Sequence, residues 1–443
     1  MTRNFFLDII NFIKEVGEEM TVGICSLGCK VNIYESEYVE NLLKNHGFQI
    51  VDFNTEADIY IINTCSVTNE SDKKSRKMIN GAKRRNDKAI IVVMGCYSQV
   101  QPDSIDADIV IGNKDKSLIV EYIEEYLKTN KKFKKIYNLR EDNYFEPMII
   151  NNFDNHTRAF VKIQDGCNAF CSYCIIPYTR GRIRSKKLTD VINEVTNLVN
   201  NGYKEIVLTG IHTGKYGDNL DTNLETLLRE LIKIKNIYRI RLSSIEINEI
   251  TPGIMDLIKE SSIIASHFHI PLQSGSDKIL KSMNRKYDLE YFKKRIKEIR
   301  ALRSDISITT DLIVGFPGEG EEEFRETIDT LKELKITKIH TFPYSKRTGT
   351  PASTMPNQVD GNIKKRRVRE VLELSNKTEL EFYKKYIGST LEGVTELRKD
   401  GSVIVHTSNF IPIKITDIKS NNEIVNVKII NITSDGEVIG EIL

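Results

Sequence analysis

The sequence predicts an α/β protein in three parts: an open parallel-sheet domain, a partial (β/α)6 barrel and a small all-β barrel at the C-terminus. Three observations predict it. Short β-branched runs alternate with helical patterns in the first part, and the same alternation returns after a charged, irregular stretch. The last 55 or so residues then change to a period of two.

In the first part, the runs TVGICSLG (21–28), ADIYIINTC (57–65), AIIVVMGC (89–96) and ADIVIG (107–112) read as strands. Helical patterns such as YESEYVENLLKNHG and SDKKSRKMINGAKRR lie between them. Such βαβ repetition implies a parallel sheet covered by helices. Residues 128–157 are charged and irregular and read as a linker. Six further strands follow at 158–164, 205–211, 239–244, 266–272, 307–316 and 338–345, each gap holding a helical pattern. That spacing suits an open six-stranded β/α barrel. KKRRVREVLELSNKTELEFYKKYIG continues as one long helix to Gly388. TLEGVTEL, SVIVHTS, IPIKIT, IVNVKIINIT and EVIGEIL then alternate around KDG and SDG turns, as in a compact barrel.

The net charge is +2, so overall charge neither demands nor excludes a nucleic-acid partner. Local basic clusters stand out at 83–85 (KRR), 179–187 (TRGRIRSKK) and 364–369 (KKRRVR), each of which could be a solvated helix face. No apolar run approaches the length of about 18 residues that a membrane helix needs. Asp8, Lys14 and Glu15 interrupt the N-terminus and no small-residue cleavage site follows. Residues 1–19 are expected to be dispensable, either an amphipathic extension or a start upstream of Met20. A cytoplasmic monomer is expected.

Seven cysteines, an odd number without a secretion signal, argue for reduced thiols, metal ligands or nucleophiles rather than disulfides. Cys29, Cys65 and Cys96 each fall at or just past the C-terminal end of a predicted strand. In an open parallel sheet those ends share one edge, where ligands bind. Three thiols in one topological position point to a metal centre with an open coordination site, against the simpler reading of three small core hydrophobes. Cys25 lies inside the first strand and reads as a core thiol. Cys167, Cys171 and Cys174, in GCNAFCSYC with spacing C-x3-C-x2-C, follow the first barrel strand. Three thiolates there can hold three irons of a 4Fe–4S cluster and leave the fourth for an exogenous ligand. Zinc is the runner-up, but no fourth Cys or His lies near.

This triad resembles that of the radical S-adenosylmethionine (SAM) superfamily. SLGCKVNIYESE (26–37), INTCSVTNESDKKSR (62–76), VMGCYSQ (93–99), DGCNAFCSYCIIPYTRGRIRS (165–185) and HIPLQSGSDKILKSMNRKY (269–287) further resemble the methylthiotransferase family, from about residue 20 to the C-terminus. The resemblance implies an N-terminal iron–sulfur domain (20–128), a radical SAM core (153–383) and an RNA-binding TRAM domain (386–443). It implies two 4Fe–4S clusters, one on Cys29, Cys65 and Cys96 and one on Cys167, Cys171 and Cys174. LGCKVN with GCYSQ resembles the branch that methylthiolates C2 of N6-threonylcarbamoyladenosine at position 37 of tRNA. As the family implies, SAM then serves twice, as methyl donor and as source of the 5′-deoxyadenosyl radical. Partners would be the tRNA anticodon loop and an electron donor such as flavodoxin or ferredoxin. Alternatives are the same chemistry on isopentenyladenosine-37 or on a ribosomal-protein side chain, or a non-catalytic RNA-binding iron–sulfur carrier.

Candidate SAM contacts lie at the barrel strand ends. Tyr173 matches the family's aromatic near the adenine. Thr209 and Gly210 stand where many relatives have Gly-Gly-Glu, so the SAM amino group needs another partner, for which Glu246 is the candidate. Gln273 and Ser274 could reach the ribose or carboxylate, and Ile313 to Gly315 could form the adenine wall. His267 and His269, on one face of strand four, are read as hydrogen-bonded lumen histidines. The C-terminal unit from residue 387 carries five Lys/Arg and eight Asp/Glu. RNA electrostatics are therefore expected from 364–369 and 179–187 at least as much as from that barrel.

Overall fold

The computed structural model describes residues 20–153, 156–415 and 420–443; residues 1–19, and the expectation attached to them, lie outside the described residues. The chain divides into two compact units. One holds residues up to Ile150 with 165–169 and 174–184, and the other holds 151–164, 170–173 and 185–443.

The first unit is built on strands β1 (Thr21–Ser26), β2 (Gln49–Val51), β3 (Ile59–Thr64), β4 (Ile90–Gly95), β5 (Ile109–Ile111) and β6 (Phe133–Lys135). They form one parallel sheet in the order β2-β1-β3-β4-β5-β6. The central strands IYIINT and IIVVMG are buried throughout, as a sheet covered on both faces requires. Two apolar clusters flank it, one around Val22, Ile59, Val92 and Ile123, the other around Tyr60, Ile62, Val93 and Ile79.

β2 is a short edge strand that the sequence reading missed. The segment 128–157 is no free linker: β6 pairs with β5, Leu139, Met148 and Ile150 are buried, and the Tyr34 hydroxyl donates to the Met148 carbonyl at 2.6 Å. The basic run 83–85 closes the helix Asn69–Arg85, where cations face the carbonyl end of the helix dipole.

In the second unit, β7 (Ala159–Lys162) starts the barrel. Two short strands, β8 (Gln164–Asp165) and β9 (Arg184–Ser185), follow it along the chain. The remaining barrel strands are β10 (Glu205–Thr209), β11 (Arg239–Leu242), β12 (His267–His269), β13 (Ser307–Val314) and β14 (Lys338–Pro343). They form parallel sheets β7-β10-β11 and β12-β13-β14, joined by a bridge between Ile240 and Ile264. The expected open six-strand order is therefore present. The last part is a closed barrel in the order β15-β16-β17-β19-β18, from β15 (Thr390–Leu397), β16 (Val403–Thr407), β17 (Pro412–Ile415), β18 (Ile424–Ile432) and β19 (Val438–Ile442). Val403, Val405, Ile413, Val427 and Ile429 fill it.

The loop between β16 and β17 closes the N-terminal end of the β/α barrel. Arg239 donates to the His406 carbonyl at 2.9 Å, and Arg241 to the Thr407 and Ser408 carbonyls at 3.1 Å each. Phe410 lies under Arg241 at 4.7 Å and stacks on His267 at 4.9 Å. The fully buried Glu205 pairs with Arg241 at 2.8 Å and Arg239 at 3.1 Å. Burial alone would raise the Glu205 pKa; the two guanidiniums outweigh it and hold the carboxyl well below the usual range.

Glu205→Ala leaves two buried cations without their carboxylate and is expected to cost about 3–5 kcal/mol. The pair's contribution is full above the ordinary carboxylate pKa of about 4.3 and falls away as pH drops through the depressed folded value. Thermal melting of wild type and variant at neutral pH checks this; equal melting temperatures would refute it.

Candidate iron–sulfur and SAM sites

β1, β3 and β4 are neighbours in the sheet, and their C-terminal ends carry Cys29, Cys65 and Cys96. Cys29 is the N-cap of the helix Lys30–Asn45, and Cys96 is the first residue of the helix Cys96–Val100. A helix N-terminus favours thiolate. Glycine precedes both at positive φ, Gly28 at 97° and Gly95 at 103°. A Cβ on Gly28 would sit 2.7 Å from Cys65 Cβ, and one on Gly95 would sit 2.6 Å from the Thr64 carbonyl oxygen. Only glycine lets these turns press together.

An asparagine mesh fixes the edge. Asn32 Nδ2 donates to the Leu27 carbonyl at 2.7 Å and the Thr64 carbonyl at 3.0 Å, tying the loop after β1 to the end of β3. Asn63 Nδ2 donates to the Asn32 carbonyl at 3.0 Å, and Asn113 Nδ2 to Cys96 Sγ at 3.6 Å. Cys65 and Cys96 are buried. Burial pushes the Cys65 thiol up to about 11, and the Cys96 and Cys29 thiols add to the rise, so the three sulfurs lie within electrostatic reach of one another.

Among the described residues, no group of three His, Cys, Asp or Glu side chains is placed to hold a metal ion. A 4Fe–4S cluster asks for something else: one thiolate on each of three separate irons. Three convergent thiols, two of them buried, fit that donor set.

Cys25 pairs with Ile62 in mid-strand, and burial raises its thiol pKa. Cys25→Ala is expected to retain the wild-type iron content after anaerobic reconstitution. Iron loss equal to that of Cys29→Ala would show that the first site is misassigned.

Sequence reading missed Arg180, a fully buried cation in the first unit. It donates to Glu35 Oε1 at 2.9 Å, Asp165 Oδ1 at 3.1 Å and Asn32 Oδ1 at 2.8 Å. The fully buried Lys116 also pairs with Glu35, at 3.2 Å. Arg180 thus locks the helix after Cys29 to the stretch entering Cys167. Gly166 N donates to Asp165 Oδ1 at 2.8 Å, and Cys167 N to the Gly181 carbonyl at 3.0 Å.

Cys167 and Cys174 fall in the first unit, Cys171 and Tyr173 in the second. Within the second unit, Ser172 N donates to the Met283 carbonyl at 3.0 Å and Ala352 N to the Ser172 carbonyl at 2.8 Å. Arg285, also missed, donates to Cys171 Sγ and to the Tyr173 hydroxyl, each at 3.4 Å, and pairs with Glu246. The proposed amino-group partner thus already holds a cation. Tyr173 and Ile313 pack on one apolar cluster with Phe316 and Tyr344. Thr209 is buried at the end of β10. Gln164 Oε1 lies where a Gly210 side chain would begin, 2.9 Å from that Cβ position, and accepts from His212 N at 2.7 Å. Gln273 has φ 68° and bridges to β13, its N donating to the Asp311 carbonyl at 2.9 Å. Ser274 is buried. The Lys364 stem covers Gly315, 2.4 Å from where a Cβ would stand, and Glu319 Oε1 accepts from Gly315 N at 2.8 Å and from Arg367 at 2.7 Å.

The basic runs are divided between interior and surface. Arg180, Arg184, Lys186 and Arg367 are buried, and Arg366 pairs with Glu321 at 2.6 Å. Arg182, Lys187, Lys365 and Arg369 stay exposed.

Two family models match the chain: the Radical SAM superfamily over residues 161–331, and the uncharacterized protein family UPF0004 over 21–113. The chain is 42% identical over 422 residues to the threonylcarbamoyladenosine tRNA methylthiotransferase MtaB of Bacillus subtilis (strain 168), covering 93% of this chain and 94% of that protein. To the protein of the same name from Aquifex aeolicus (strain VF5) it is 41% identical over 417 residues, covering 93% and 100%. A tRNA-2-methylthio-N(6)-dimethylallyladenosine synthase of Alkaliphilus oremlandii (strain OhILAs) is 36% identical over 405 residues, covering 88% and 85%. Among solved structures, the radical S-adenosylmethionine methyltransferase TsrM from Kitasatospora setae superposes with a TM-score of 0.55 over 76% of this chain and 75% of that one. At 14% identity this is a likeness of fold alone.

Proposed function

The chain belongs to the radical SAM methylthiotransferase family, and we propose that it methylthiolates C2 of N6-threonylcarbamoyladenosine at position 37 of tRNA. The observation that carries this reading is the placement of Cys29, Cys65 and Cys96 at the ends of three neighbouring strands, in a chain that also holds the C-x3-C-x2-C loop. The substrate choice is supported by LGCKVN and GCYSQ, and by higher identity to the two MtaB proteins than to the dimethylallyladenosine synthase.

In this reading Cys29, Cys65 and Cys96 would hold one 4Fe–4S cluster and Cys167, Cys171 and Cys174 the other, within an N-terminal domain 20–128 and a core 153–383, followed by a TRAM domain 386–443. SAM serves both as methyl donor and as the source of the 5′-deoxyadenosyl radical that activates C2. The cluster that Cys167, Cys171 and Cys174 would hold would supply the electron for that cleavage, with a donor such as flavodoxin or ferredoxin reducing it. Tyr173 and Ile313 would bracket the adenine of SAM. Gln273 would meet its polar groups beside Thr209 and Gly210. Glu246, steadied by Arg285, would face its amino group. Arg285 would also stabilise the Cys171 thiolate through a charge-assisted hydrogen bond.

Among the described residues no helix is long and apolar enough to cross a membrane. We take the protein to act as a cytoplasmic monomer. A stacked base must leave its neighbours to reach such a site, as in other base-modifying enzymes. The test is mass analysis of tRNA nucleosides from cells with and without the gene. Loss of 2-methylthio-N6-threonylcarbamoyladenosine is expected. Loss of the dimethylallyl (isopentenyl) product instead would overturn the substrate choice.

A further inference from the structure

The interior of the β/α barrel is polar, and its upper layer faces outward from a sealed floor. Register places Asp311 beside His340 and Ile313 beside Phe342, with Thr309 beside His269. The alternate residues Ile308, Leu312 and Val314 are buried on the opposite face, toward the covering helices. The inward set is linked side chain to side chain. Thr309 Oγ1 lies 3.1 Å from His267 Nε2 and 2.9 Å from His269 Nδ1, so the two histidines are hydrogen-bonded in the lumen as expected. His269 Nε2 lies 3.2 Å from Asp311 Oδ2, and its ring centre is 5.5 Å from that of His340. Phe410 and the Glu205 network fill the layer beneath.

Among the described residues, none covers the top of this face. His340 is exposed, and Phe342 is 42% exposed although it lies in a strand. An aromatic ring beside a carboxylate and an imidazole, open on one side, presents a stacking plane and hydrogen-bonding groups two register positions apart. That combination suits a flat heterocycle with polar edges.

We propose that Phe342, His340 and Asp311 form the contact surface for the target purine, with Phe342 stacking on the base and Asp311 and His340 meeting its polar edge. This rests on the reading that the chain acts on a tRNA base, and goes beyond it by naming the residues that receive that base. Phe342 sits two register positions beyond Asp311 and His340 and level with Ile313, the proposed adenine wall for SAM, so the base would enter the lumen from the side where SAM is cleaved.

The test uses the reconstituted full chain and two anticodon stem-loops of identical sequence, one with N6-threonylcarbamoyladenosine at position 37 and one abasic there. Wild type is expected to bind the first more tightly. Phe342→Ala should reduce that preference by roughly 5- to 150-fold, the range for losing one base–aromatic stack. Phe342→Tyr should restore it, and His340→Ala should weaken it. Iron content checks that each variant is folded. Undiminished preference in both alanine variants overturns the inference alone. Wild type that binds neither stem-loop overturns the tRNA reading, and the inference with it.

Discussion

The Cys167→Ala, Cys171→Ala, Cys174→Ala triple variant is expected to hold about half the iron of the reconstituted wild type, which should carry about eight irons per chain, and to cleave no SAM. The reason is that the two cysteine sets are carried by different elements. Cys29, Cys65 and Cys96 belong to the edge of the first sheet and are tied there by Asn32, Asn63 and Asn113. Nothing in that mesh requires a thiol from the loop after β7. Iron analysis with quantification of 5′-deoxyadenosine checks both halves of the expectation. Full iron retention in the triple variant would sink the assignment of the loop.

Arg180→Met should be the most damaging single substitution away from the cysteines. Arg180 and its carboxylate partners Glu35 and Asp165 are buried, so removing the guanidinium leaves negative charge uncompensated in a dry site. Lys116 answers only part of it, from 3.2 Å beside Glu35. A loss of about 3–5 kcal/mol is expected. Because Arg180 also holds Asn32, which ties β1 to β3, iron at the first site should fall with stability. Arg180→Lys should recover little, since one ammonium cannot reproduce the two-pronged contact with Glu35. Melting and iron content of the two variants decide this; a methionine variant with wild-type values for both would show that the network is dispensable.

The contrast between these two residue sets explains what was legible in the sequence. The cysteines could be placed because strand ends follow from local pattern: β1, β3 and β4 are apolar runs bounded by Gly or Asn, and their C-termini must share an edge. The six barrel strands and the closed C-terminal barrel were legible for the same reason. β2 and β6 were not. Each has only three residues, and β6 lies inside the charged stretch KTNKKFKK, where it is recruited by pairing with β5 rather than by its own composition.

Which cations of the basic runs are buried was not legible, because a cation's role depends on its partner. Arg180 reaches Glu35, 145 positions away, and Arg367 reaches Glu319, 48 positions away. No local pattern carries that information. Arg285 was invisible in the same way, 114 positions from the Cys171 sulfur it meets. The lumen could be guessed at His267 and His269 because strand alternation puts them on one face. The seal beneath them required the loop after β16, from a part of the chain whose sequence announces only a barrel.

The most direct test of the central claim is the balance of SAM products in a single reaction of the reconstituted, reduced protein with tRNA carrying N6-threonylcarbamoyladenosine. Methylthiolated nucleoside, 5′-deoxyadenosine and S-adenosylhomocysteine would be quantified together. Each methylthiolated nucleoside is expected to be accompanied by one 5′-deoxyadenosine and one S-adenosylhomocysteine, and the triple cysteine variant to form no 5′-deoxyadenosine and no product. Formation of the methylthiolated nucleoside without S-adenosylhomocysteine, or in the triple variant, would contradict the central claim.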